Sequence, residues 1–308
     1  MTAQMTEAPS PSDSLDPLAA FEAERGRLFG IAYRMLGSVS EAEDVLQDAW
    51  IRWQAVDPAT VESPPGFLVR MVTRLCIDTL GAARNRLTDY VGPWLPEPIV
   101  RQLGDPPAAD PAALSEQADD LSIAFLLLLE RLTAVERAVF LLRESFDFSY
   151  REIAGIVGKS EAACRQIESR ARRRLDAEGR PAPADPVEHD RLLLSFLRAT
   201  RDGDVAGMVS VLARDAILYA DGGGKTHAAR IPVEGADRIA KFLHGLATKT
   251  KGVIEVRPAL VNGRTGALNY LDGHLVSVLS VLIEDGQIRR MFIVVNPDKL
   301  PRQALTLK

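Results

Sequence analysis

Apolar residues recur at helical spacing through the first part of the chain. Phe21, Leu28, Ile31, Ala32, Met35 and Leu36 stand on one face of a single predicted helix. Gly37-Ser38 ends it, and Ser40 is the expected N-cap of the next helix, whose periodic positions are Val45, Leu46, Ala49, Trp50 and Trp53. Pro64-Pro65 opens a third helix, a good place for proline because the first turn has unpaired donors anyway. That helix carries Phe67, Leu68, Met71, Val72, Leu75 and Leu80. A second helical block follows. It has one or two amphipathic stretches over Leu126–Leu142, a bend through Phe146, Asp147 and Phe148, a helix Tyr150–Val157, the turn Gly158-Lys159-Ser160, and a longer helix Glu161–Leu175.

The period then changes. After a helix Val187–Arg201 come strand-like stretches at Ala216–Ala220, Val253–Val261, Ala267–Leu271, Val276–Ile283 and Ile288–Val295. The turn pairs Asn262-Gly263, Asp272-Gly273 and Asp285-Gly286 separate the later ones. A helix followed by an antiparallel meander predicts an α+β domain. Proline marks the joints. Pro93, Pro96, Pro98, Pro106, Pro107 and Pro111 remove backbone donors and disfavour helix in the residues before them, which predicts an extended connector. Pro181, Pro183 and Pro186 form a second joint. The expected organisation is a helical domain at 15–91, a linker at 92–113, a helical domain at 114–178, a short linker at 179–186, and an α+β domain at 187–308.

Composition sharpens this. The chain has 308 residues, 46% of them apolar and 26% charged, ordinary values for globular protein with room for sizeable cores. Its net charge of −5 gives no global cationic field, so a nucleic-acid site has to be a local basic patch. Cys76 and Cys164 lie far apart and lack metal-ligand spacing, which argues against a zinc site or a disulfide scaffold and fits a reducing cytoplasm. No apolar run approaches the ~18 residues of a membrane span, and the N-terminal segment lacks the features of a signal peptide.

The local patch lies in residues 149–175. A short helix, a turn at Gly158 and a basic helix capped by Ser160 make a helix-turn-helix. Ile153, Ala154, Val157, Ala163, Cys164 and Ile167 are expected to face the core, leaving Arg165, Gln166, Ser169, Arg170 and Arg173 outside. Between 159 and 175, six basic residues (Lys159, Arg165, Arg170, Arg172, Arg173, Arg174) stand against Glu161 and Glu168. Such a helix can enter a major groove. The second helix of the first domain is acidic (Glu41, Glu43, Asp44, Asp48) with Trp50 and Trp53, and suits a protein-binding face if its aromatics are exposed. The third carries Arg70, Arg74, Arg84 and Arg86 beside Asp78 and Asn85. Taken alone, the third helix reads better as the exposed face of a helix bundle and the second as a capped surface helix.

Together, AEDVLQDAW, a proline turn, FLVRMVTRLCIDTL, a linker and a C-terminal helix-turn-helix resemble the extracytoplasmic-function (ECF) sigma factors of bacterial RNA polymerase. The resemblance implies that Glu41, Asp44, Gln47, Asp48 and Trp50 lie on the helix that docks on core polymerase. It places Arg74, Asp78, Arg84, Asn85 and Arg86 where the family reads and melts the −10 element of promoter DNA. It places Arg165, Gln166, Ser169, Arg170 and Arg173 where the family meets the −35 element. Arg74 stands where many members have Asn, and Gly81-Ala82-Ala83 stand where they have a denser basic run.

Residues 187–308 resemble the SnoaL-like branch of the NTF2-like cone fold. Three strings match the sigma subgroup that carries this extension: WLPEP (Trp94, Leu95, Pro96, Glu97, Pro98), DGGGK (Asp221, Gly222, Gly223, Gly224, Lys225) and NPDKL (Asn296, Pro297, Asp298, Lys299, Leu300). The resemblance implies a self-regulated, cytoplasmic, monomeric sigma factor whose partners are core RNA polymerase and promoter DNA, with no membrane partner, no cofactor and no metal. An exposed Trp94-Leu95 in a linker is expected to dock on the cone domain. Three other readings stay open: a cone that senses a small ligand, a cone enzyme using Asp221, His227, His244 or His274, and a dimeric repressor with a sensory domain.

Overall fold

The computed structural model describes residues 16–57, 60–83, 90–103, 121–179 and 184–301. Helix α1 (Pro17–Leu36) starts at the Asp16 cap and stops at Gly37, whose φ of +68° requires a residue at ease in the left-handed region. The turn is tighter than the sequence reading allowed. Ser38, not Ser40, is the N-cap of α2 (Val39–Gln54), its Oγ accepting from Glu41 N at 3.2 Å. Helix α3 (Pro64–Ala83) begins at the proline pair.

The aromatics of α2 are not exposed as expected. Trp53 is fully buried and donates from Nε1 to Pro17 O at 2.8 Å. Trp50 is half-buried, its ring 5.2 Å from that of Phe21. The periodicity that suggested a display face instead marks the helix's inward side. Ile51, next to Trp50, is the large apolar residue that α2 exposes.

The stretch Leu126–Leu142 resolves into two helices, α4 (Ile123–Leu129) and α5 (Ala134–Glu144). A capping box between Thr133 and Glu136 starts the second. Then come α6 (Tyr150–Val157), a left-handed Gly158, and α7 (Glu161–Ala177) capped by Ser160. Ile153, Cys164 and Ile167 are buried as expected, and Ile156, Ala171 and Leu175 join them. The buried faces of α1 to α7 form one continuous core rather than two.

The third domain opens with α8 (Pro186–Asp202) and α9 (Val205–Val211), and α10 (Ala236–Lys249) lies within it. Its strands are β2 (Leu212–Asp221), β3 (Val233–Glu234), β4 (Ile254–Val261), β5 (Arg264–Leu271), β6 (His274–Glu284) and β7 (Gln287–Val294). With β1 (Val100–Gln102) they form a seven-stranded sheet in the order β1-β4-β5-β6-β7-β2-β3. The meander β4 to β7 is antiparallel as the turn pairs predict, and Asn262, Asp272 and Asp285 each take positive φ at its hairpins. Two pairings depart from the expected pattern. β2 lies parallel to β7 because the chain leaves β2 through α10 and returns to it only after the meander. The proline-rich connector supplies β1, so part of it is an edge strand of the third domain's sheet. Helices α9 and α10 and strand β3 had no counterpart in the sequence reading.

Both faces of this sheet are covered. Leu193, Phe196 and Ile239 from α8 and α10 pack on one face, against Leu218 and Met291. On the other, Leu95 from the linker and Ile123 and Ala124 from α4 pack against Leu268, Tyr270, Val278, Phe292 and Val294. Helix α4 is thus apolar on both sides, its Phe125, Leu126 and Leu129 facing the core of the helical domains and its Ile123 and Ala124 facing the sheet. The uninterrupted run Ile123–Leu129 serves as a shared wall.

Leu95→Ala removes a side chain with 0% exposure and is expected to cost about 2–5 kcal/mol in urea denaturation. Ile51→Ala, at a position 57% exposed, is expected to stay within about 0.5 kcal/mol of the parent. Equal small effects at the two positions would mean that Leu95 does not anchor the linker.

Candidate DNA-reading surfaces and interdomain contact

Helix α7 places Arg165, Gln166, Ser169, Arg170 and Arg173 on its exposed side, as its period predicts. Its charges are not equally available. Arg172 pairs with Glu168 at 2.7 Å and Glu144 at 2.5 Å, and Arg174 with Glu136 at 3.2 Å. Arg165 pairs with Glu161 at 3.0 Å and lies 5.1 Å from the centre of the Tyr150 ring. Among the described residues, Arg170 and Arg173 donate only to carbonyls one turn back, Gln166 O and Ser169 O, each at 3.3 Å. Among the described residues, the cations of α7 outside ion pairs are therefore Arg170 and Arg173, with Lys159 exposed in the turn before the helix.

On α3, Arg74 and Asp78 are exposed. Arg74 is nonetheless engaged, its Nε donating to Ile156 O at 3.0 Å and its Nη2 to Gly155 O at 3.4 Å. Those carbonyls belong to α6, so the first helix of the helix-turn-helix packs directly on the arginine-bearing face of α3. Arg84, Asn85 and Arg86 lie outside the described residues. On α2, Asp44, Gln47 and Asp48 are exposed and Glu41 is half-buried. Asp44, Gln47 and Trp50 border a groove of about 270 Å³ with Leu18 and Phe21 in its wall and the Arg25–Glu43 ion pair at its rim.

The three remaining strings converge. Asp221, at the end of β2, has 0% exposure, and an unpaired carboxylate there would be strongly unfavourable. It is saturated instead. Lys299 Nζ donates to Oδ2 at 2.7 Å and Leu95 N at 2.9 Å, while Tyr90 OH donates to Oδ1 at 2.5 Å and Gly223 N at 3.0 Å. Lys299 also donates to Leu95 O at 2.6 Å and lies 4.4 Å from the Trp94 ring centre. Burial lowers the Lys299 pKa, opposed by the attraction of Asp221. Burial, and then the Asp221 carboxylate, push the Tyr90 phenol up, so it remains a donor. Asn296 Nδ2 donates to Tyr90 OH at 3.0 Å, and Lys225 pairs with Asp298 on the surface.

The glycines make room for this contact. A Cβ on Gly223 would stand 2.3 Å from Asn296 Nδ2, and one on Gly224 3.2 Å from Val91 Cβ. Both residues also take positive φ. Pro297–Lys299 form a single turn of 3₁₀-helix that carries Lys299 inward, and Leu300 is buried in the sheet core beyond it.

The linker's other end grips the first domain. The Glu97 carboxylate accepts from Val39 N at 2.9 Å and Ser40 N at 3.2 Å, at the positive end of α2. Glu97 N donates to Gly37 O at 2.8 Å, and a Cβ on Gly37 would stand 2.7 Å from Trp94 Cη2. Pro96 and Pro98 are buried. Tyr33 OH donates to Glu97 O at 2.7 Å and accepts from Asn262 Nδ2 at 2.7 Å. Asn262 also donates to Leu121 O at 2.8 Å, so the β4–β5 hairpin turn joins the first domain and the start of α4. Burial pushes the Tyr33 phenol well up.

Tyr33, Tyr90, Asn262 and Arg137 were missed as contact residues in the sequence. Arg137, buried in α5, donates to Met35 O at 2.6 Å across the shared core. Only the Asn262-Gly263 turn signal pointed at any of them. The catalytic candidates do not gather. Asp221 faces the linker, His227 follows the glycine loop, His244 is on α10 beside Gly203, and His274 is exposed at the start of β6.

Residues 20–86 match the family Sigma-70 region 2, and residues 122–175 match Sigma-70, region 4. SigJ of Mycobacterium tuberculosis H37Rv, an ECF RNA polymerase sigma factor, is 35% identical over 292 residues, covering 92% of either chain. SigI of the same species, a probable ECF RNA polymerase sigma factor, is 31% identical over 291 residues, covering 92% of this chain and 95% of SigI. The crystal structure of M. tuberculosis SigJ aligns with a TM-score of 0.74 at 32% identity, covering 92% of this chain and 97% of that one. With two helical sigma domains in order and an α+β domain behind them along the whole shared length, the chain belongs to the ECF RNA polymerase sigma factors, which direct promoter-specific initiation of transcription.

Proposed function

We propose that this chain is a sigma factor held in a closed, promoter-incompetent arrangement by its own third domain. The observation that carries the reading is the Arg74 contact, which joins the −10-reading helix to the helix-turn-helix. The −10 and −35 elements lie roughly 25 base pairs apart, about 85 Å of duplex at ~3.4 Å per step. Helix α7, with 17 residues, is only ~25 Å long. Two domains in direct contact do not reach both elements, so promoter engagement requires α3 and α6 to part. Polymerase binding through the α2 groove bordered by Asp44, Gln47 and Trp50, with Asp48 and the half-buried Glu41 on the same helix, then shifts the population toward the open form. In that form Arg170 and Arg173 read the −35 element with Gln166, Ser169 and Arg165, and Arg74 is freed to join the exposed Asp78 on −10 DNA. The boundaries at 15–91, 114–178 and 187–308 are the units that move, with 92–113 as the strap. The third domain acts here by binding, not by catalysis.

Run-off transcription with purified core polymerase tests the assignment. The full chain is compared with a truncation before Asn296 and one near Ala184. Higher activity without the tail is expected. Because the larger truncation strips the cover from Ile123 and Ala124, it is expected to lose activity through aggregation or misfolding. A tail truncation no more active than the full chain would remove the inhibitory role.

Lys299→Met leaves the buried Asp221 without its cation and is expected to weaken the closed form by about 3–5 kcal/mol. Energy transfer between dyes on α2 and α7 should fall accordingly. A folded variant with unchanged transfer would show that this pair does not hold the domains.

Arg170→Ala is expected to weaken −35 binding by about 1–3 kcal/mol. The loss should vanish on a scrambled −35 sequence. An equal loss on both sequences would reduce Arg170 to a phosphate contact.

A further inference from the structure

Between the glycine loop and the linker lies a cavity of about 290 Å³, at the lower end of the range of small-molecule sites. Its wall includes Lys225, His227 and Arg230 on one side and Val91 and Gly92 on the other, and among the described residues no carboxylate lines it. The Asp221 carboxylate, next in sequence to the lining residues Ala220 and Gly222, is turned away into the buried contact with Lys299. Among the described residues, neither His227 nor Arg230 has a hydrogen-bond or ion-pair partner. Lys225 has one, Asp298, in a pair whose side chains are 55% and 59% exposed. Exposed pairs of this kind contribute little and exchange readily.

We infer that this cavity binds a small anion, a phosphate ester or carboxylate, through Arg230, Lys225 and His227. Arg230 supplies a planar fork of donors suited to either group. Lys225 turns from Asp298 to the ligand, so the anion and Asp298 compete for one ammonium. Because Asp298 sits on the 3₁₀ turn that carries Lys299, and Val91 and Gly92 stand where the first domain passes into the strap, an occupied site weighs on the closed arrangement. That last consequence rests on the regulatory reading above, whereas the binding itself does not.

The test uses the full chain and inorganic phosphate, titrated against chloride at constant pH and ionic strength. The chain has four histidines, His189, His227, His244 and His274, so their ring proton signals are resolvable, and His227→Gln assigns one of them. Saturable movement of the His227 signal alone is expected. Arg230→Ala should weaken binding by about tenfold, the worth of one charge-assisted hydrogen bond. Asp298→Asn, which removes the competitor, should tighten it several-fold. Linear drift of all four signals, or a response unaltered by Arg230→Ala, would overturn the site. As transcription is not measured, failure here leaves the gating proposal standing, and failure of gating leaves this site standing.

Discussion

A carboxylate with no access to water has to be compensated, and Asp221 draws its compensation from three separate parts of the chain. Tyr90 and Leu95 come from the passage of the first domain into the linker, Gly223 from its own turn, and Lys299 from the tail. Were linker or tail to leave, an anion would remain in an apolar surround short of its donors, which costs several kcal/mol. The pair is therefore weak as a general source of stability but strong as a condition: this packing exists only when both segments are seated. That is the behaviour of a contact that specifies an arrangement.

The linker's hold on the other side has the same character. Glu97 caps α2 from outside the helix, and its backbone pairs with Gly37, so the strap reads the α1–α2 turn on both main chain and side chain. Between these two polar grips lie the fully buried Leu95 and the half-buried Trp94, the latter over Gly37 and Lys299. The tethered third domain needs no high intrinsic affinity for this, since linkage gives it a high effective concentration.

Helix α4 explains why the third domain is not a detachable appendage. Its seven residues are apolar all round because one side completes the sigma core and the other covers the sheet. The same sheet face is closed by Leu95. A sigma domain thus serves as the lid of the cone, and the cone as the cover of a sigma helix.

The sequence by itself determined what depends on neighbours a few residues away. Helical period located α1 to α3 and α5 to α8. Gly37 and Gly158 marked helix ends that need positive φ, and Asn262-Gly263, Asp272-Gly273 and Asp285-Gly286 marked the hairpins of the meander. The outward face of α7 followed from its period, and the three strings in linker, glycine loop and tail were marked by the resemblance to one sigma subgroup. Local signals carry no information on which distant surface arrives, and that is where the tertiary structure decided. It turned Trp53 inward, tied Arg74 to α6, paired β2 with β7 in parallel, and made an edge strand from a proline-rich linker. It joined Tyr90 to Asp221 across 131 residues and Asn262 to Tyr33 across 229. The physical reason is that a polar or apolar group must be satisfied once buried, but its partner is chosen by the geometry of whole elements packing together.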